Sequence, residues 1–198
     1  MGEIKVMKTV GIIYTFVLLF GTAVFAQDPN TLASTRDTSR DNAIGSEFET
    51  RVRQYTAQRE ALEALLPALS KQATAEEIAA HKNALLKKVL ADRKGAIRGA
   101  IFTPDAERMI RAIIAGYYTG RDRAELRKEV AEAENKTVPI KVNAVYPEAA
   151  ELLEMPPQLL MALPDLPKQV RYRFVGSNLL IVDRENHLIV DYMTNALP

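Results

Sequence analysis

The chain has 198 residues, with 26 Lys or Arg against 25 Asp or Glu, two His and no Cys. So even a balance gives no electrostatic basis for nucleic acid as a main partner. The lack of Cys excludes disulfides, thiol catalysis and Cys-ligated zinc.

Lys5 and Lys8 precede an uncharged apolar run from Val10 to Ala26, and Val24-Phe25-Ala26 puts short side chains just before a cleavage point. Residues 1–26 are therefore expected to be a signal peptide, cut after Ala26, which places the protein in the periplasm or outside the cell. The rival is an uncleaved anchor, but the run is at the short edge of the roughly 17–25 residues that span a bilayer, with no basic far flank. Removing 26 of the 198 residues takes away Lys5, Lys8 and Glu3 and leaves 172 residues of zero net charge. A chain of that size forms one domain or two small ones and buries about 70% of its unfolded surface. No second segment is apolar enough to span a membrane.

Residues 27–44 are rich in Thr, Ser, Asp, Asn and Arg with no apolar period, and are expected to be a disordered linker. A helical region is expected over 45–135. Ser46-Glu47-Phe48-Glu49 has the form of a capping box, and Phe48, Val52, Tyr55, Leu62 and Leu66 follow as one helical stripe. Arg59 interrupts that stripe, and its head is expected to reach water past a buried stem. Leu66-Pro67 ends the helix. Thr74 to Glu77 opens a second helix with Ile78, Leu85, Leu86, Val89 and Leu90 on its apolar face. Thr103-Pro104-Asp105 opens a third, through Ile110 and Ile114 toward Gly120. A fourth is expected from Asp122 to about Glu134.

The period changes in 136–198, the expected β-rich region packed on the helices. Val138, Ile140 and Val142 alternate as an edge strand. Residues 147–168 are punctuated by Pro and rich in Leu and Met, and are expected to drape over the helices, with an exposed partner surface as the alternative. Val170, Tyr172 and Phe174, then Leu179 to Val182, then His187 to Met193, form a meander with turns at Gly176 and Asp183 to Asn186. The fold class expected is α+β, about four N-terminal helices and a small C-terminal antiparallel sheet.

No catalytic motif is present, so no catalytic residue and no cofactor is assigned. His187 with Asp183 and Asp191 is the candidate metal or acid–base set, against the simpler reading that Asp183 to Asn186 are turn formers and His187 opens the next strand. His81, at the border of the second helix's apolar stripe, is best taken as a core-edge histidine. Lys82, Lys87, Lys88, Arg93, Lys94 and Arg98 face Asp92 alone over 82–98, a candidate surface for an envelope protein or an anionic envelope polymer. Asn135-Lys136-Thr137 matches a glycosylation sequon.

Ile101-Phe102-Thr103-Pro104, Tyr146-Pro147, Met155-Pro156-Pro157, Tyr172-Arg173-Phe174-Val175-Gly176 and Leu188-Ile189-Val190-Asp191 together resemble a group of uncharacterised exported bacterial proteins over Glu49 to Pro198. That resemblance implies an envelope location and no assigned activity. The meander alone is similar to a small periplasmic module linked to nickel and cobalt tolerance. The expected function is a non-enzymatic binding module of the envelope. The alternatives are an envelope hydrolase with a dispersed site and a metal-responsive periplasmic module.

Overall fold

The computed structural model describes residues 29–119, 124, 125, 128, 140–146 and 155–198. The signal segment, the sequon, Val138, Gly120 and most of the expected Asp122–Glu134 helix lie outside the described residues. Among the described residues the architecture is α+β. Helices α1 (Pro29–Glu63), α2 (Ala75–Asp92), α3 (Pro104–Tyr117) and α4 (Pro157–Ala162) precede strands β1 (Val170–Val175), β2 (Asn178–Asp183) and β3 (Ile189–Met193). The strands form one antiparallel meander in the order β1-β2-β3.

Two helix starts follow their capping chemistry. At α2 the Thr74 hydroxyl accepts from the Glu77 amide at 3.2 Å, and the Glu77 carboxylate accepts from the Thr74 amide at 2.7 Å. At α3 Thr103 caps Ala106 and Pro104 occupies the first turn, where its missing amide costs nothing.

The start of α1 differs from the sequence expectation. Residues 29–44 are helical rather than a linker, and Ser46 lies inside the helix. Its carbonyl accepts from the Thr50 hydroxyl at 2.8 Å instead of its side chain capping a terminus. The segment shows no apolar stripe because core packing begins at Ile44 and Phe48. Adding turns to a helix nucleated elsewhere needs no such stripe. The pairs Glu47–Arg51 and Glu49–Arg53 support the helix where it meets the core.

The meander separates two apolar clusters. On one face Val170, Tyr172, Phe174, Leu179 and Ile181 meet Phe48 and Val52 of α1, Leu85 and Val89 of α2, and Ile110 and Ile114 of α3. Phe48 packs against Phe102 and stacks on Tyr172, with ring centroids 5.5 and 6.4 Å apart. On the other face Val175, Leu180, Val182 and Ile189 pack with Tyr146. The helical and β-rich regions thus share one core.

Of the edge strand expected over Val138, Ile140 and Val142, the described residues Ile140 and Val142 lie in no strand. Residues 143–146 lie along β3 through the bridge Val145–Leu188, with the Asn143 amide donating to Ile189 at 2.9 Å and the Ile189 amide to Ala144 at 2.9 Å. Asn143 has φ 66°, a left-handed conformation that ends any regular strand there.

The Leu/Pro segment divides its apolar residues. Leu159 and Leu163 enter the main core, while Met161 is 85% exposed and Leu160 50%. Leu159→Ala should therefore cost about 2–5 kcal/mol in urea unfolding, whereas Met161→Ala should stay within about 0.5 kcal/mol of the parent.

Candidate functional site

The three residues of the candidate metal set do not come together. Among the described residues no group of three or more His, Asp or Glu side chains is placed to hold an ion. Asp183 and Asp191 are fully buried and already committed to donors. Asp183 Oδ2 accepts from the Tyr55 hydroxyl at 2.9 Å and from Arg59 Nε at 2.8 Å, while Oδ1 accepts from the Glu185 and Asn186 amides at 3.0 and 3.1 Å. Asp191 takes the amides of Gly99, Ile101 and Phe102 at 2.9, 2.7 and 2.9 Å. His187 precedes β3 rather than lying in it, at φ 52°, and its carbonyl accepts from the Tyr146 amide at 2.6 Å. It therefore shares no strand face with Asp191.

These hydrogen bonds follow from strand geometry. Leu179, Ile181 and Asp183 alternate onto the helix side of β2, so Asp183 meets α1. The β2–β3 register shifts between Ile181 and Val182, leaving Val190 without an opposite residue. Asp191 then pairs with Ile181 and faces the loop ahead of α3. Gly99, at φ 86°, turns that loop so that its amides converge on the carboxylate.

Arg59 is the largest departure from the sequence expectation. Its head is buried at 5% exposure rather than in water, paired with Asp183 and also with Glu63 and Glu185. Burial opposes its charge, and the carboxylates outweigh that penalty, so its pKa lies above the ordinary arginine value. Tyr55 is pushed upward by burial and then by Asp183. A stripe position occupied by an arginine, four residues after a tyrosine, was the sequence signal for a buried partner.

The basic 82–98 segment also splits. Arg93 donates to Asn143 Oδ1 at 3.0 Å and to the Val190 carbonyl at 2.7 Å, and lies 4.9 Å from the Tyr55 ring centroid. Burial lowers its pKa. Arg98 donates to Glu107 at 3.1 Å and lies over Tyr192. Both arginines bind helices to sheet. Lys82, Lys87 and Lys94 are exposed and Lys88 half-buried. At about 100° per residue the three lysines of α2 spread around the helix instead of forming one face. His81 lies at the α1–α2 contact, 3.9 Å from Glu63.

An open groove of about 1030 Å³ lies between α1, α3 and α4. Ile44, Met109, Ile113 and Leu163 supply apolar lining, and Gly45 keeps the α1 wall low opposite Met109. Met161 stands at its edge, and Arg40, Asp41, Glu49, Asp105, Arg108 and Asp165 provide its charged groups. A smaller polar cavity of about 370 Å³ adjoins Arg59, where Glu63 and Glu185 act as counter-ions and Glu60 accepts from Gln169.

No protein-family model matches the chain, and no curated protein or solved structure is similar to it.

Asp191→Ala leaves three loop amides without their acceptor, and at about 1–3 kcal/mol per buried unpaired donor it should cost about 3 kcal/mol or more by urea unfolding. Asp191→Asn keeps one oxygen and should cost less. Alkaline stability follows from the tyrosines. Tyr172 is raised by burial, then by Glu49 and Asp165, so both Tyr55 and Tyr172 hold their protons in the folded state above the unfolded value of about 10. Their contribution is complete below that pH and is lost as pH rises beyond it. Melting temperature should fall above about pH 10, and tyrosinate absorbance from these two residues should appear with unfolding. Tyr55→Phe should flatten the slope.

Proposed function

We propose that this is an exported protein of the bacterial envelope that binds a partner protein through the α1–α3–α4 groove and performs no chemistry of its own. The observation that carries this reading is the groove itself: apolar lining, charged rims, and Met161 85% exposed beside it. An exposed apolar cluster within a polar rim is the usual composition of a protein-binding surface. The commitment of Asp183 and Asp191 to structural hydrogen bonds supports it further, because neither carboxylate is left to act as an acid, a base or a metal ligand. Export rests on the basic, apolar and short-side-chain order of residues 1–26. Among the described residues no helix is long and apolar enough to cross a membrane.

A photo-crosslinking amino acid at position 161, placed in the full chain in its native envelope, should give one reproducible protein adduct. The same group at exposed Lys87 should not. No adduct from position 161, or the same adduct from both positions, contradicts the groove. The intact mass of the exported chain should correspond to a start at Gln27. Retention of residues 1–26 contradicts cleavage.

A further inference from the structure

Resting on the groove reading, we infer that the segment bound there is apolar and carries a Lys or Arg, whose charge sits between Glu49 and Asp165. Among the described residues its lining carries four carboxylates and two arginines, an acidic balance in a chain that is close to neutral. Asp105 is matched by Arg108 within α3. Glu49 and Asp165 come from different walls, one from α1 and one from the turn after α4. The Tyr172 hydroxyl donates to the Pro164 carbonyl at 3.0 Å and its ring stacks on Phe48, so the neighbours of Asp165 and Glu49 meet on one tyrosine and both carboxylates line the same groove. Arg53 pairs with Glu49 at 3.2 Å. Asp165 is exposed and supplies the remaining negative charge.

The apolar part of the partner would lie on Ile44, Met109, Ile113 and Met161. An anionic polymer is disfavoured by the same charges. A cationic anchor adds orientation and association rate to apolar burial, and its contribution weakens with salt.

The test uses the full exported protein and three fluorescein-labelled short peptides of the same Leu and Ala content, with Lys, Gln or Glu at the centre. Anisotropy at low salt should show the Lys peptide bound about tenfold more tightly than the Glu peptide. The preference should shrink severalfold in Glu49→Gln/Asp165→Asn, which removes both charges from the groove walls and breaks only the solvent-facing pair Glu49–Arg53. Met161→Ser, which removes apolar surface without adding charge, should weaken all three peptides. Equal affinity for the three peptides, binding of none of them, or a preference untouched by the double variant overturns the inference. Equal affinities together with an intact crosslink from position 161 would remove the charge rule and leave the groove in place.

Discussion

The buried pair Arg59–Asp183 is the constraint on which the arrangement of helices and sheet depends. A lone charge placed in a protein interior is unfavourable by several kcal/mol, and a pair survives there when its remaining hydrogen-bonding capacity is met. Asp183 meets that condition through Tyr55, Arg59 and two turn amides. Arg59 meets it through three carboxylates. The register of α1 on the sheet is thereby set by directional contacts, which apolar packing alone would leave free to slide.

Asp191 plays the matching part at the other end of the meander. It binds the loop ahead of α3 through three amides, and Arg98 and Arg111 fasten the same region to Tyr192, Thr194 and Asn195. With α1 held by Asp183 and the start of α3 by Asp191, two walls of the groove are positioned by the sheet. The third wall, α4, is seated by Leu159 and Leu163. A preformed groove loses less conformational freedom on binding than one that must assemble. In this protein the buried charges act on function indirectly, through the surface they place.

The legible parts of the sequence were those with a local signature. The capping box at Thr74, the Thr103-Pro104 start, the alternation of β1 and the short apolar run of β2 each depend on residues within a few positions of one another. What stayed hidden depended on distant partners. Arg59 and Asp183 are 124 positions apart, and periodicity assigns a stripe arginine to water by default. The loop amides around Asp191 have no side-chain signature beyond Gly99. Residues 29–44 carried no apolar stripe, so a helix continued outward from a packed core could not be told from a linker. The groove was foreshadowed in Met161 of the Leu/Pro segment, but its α1 and α3 walls appear only once the helices are packed.

The most direct test of this account is a double-mutant cycle on the buried pair, read by urea unfolding of the intact exported protein. Arg59→Met alone strands the Asp183 charge and should cost about 3–5 kcal/mol. Adding Asp183→Asn removes that charge and should restore part of the loss, so the two changes together should cost clearly less than their sum. A loss below about 1 kcal/mol for Arg59→Met, the range of a surface pair, would contradict the claim that this interaction sets the packing of helices on sheet. Strictly additive losses would contradict it too.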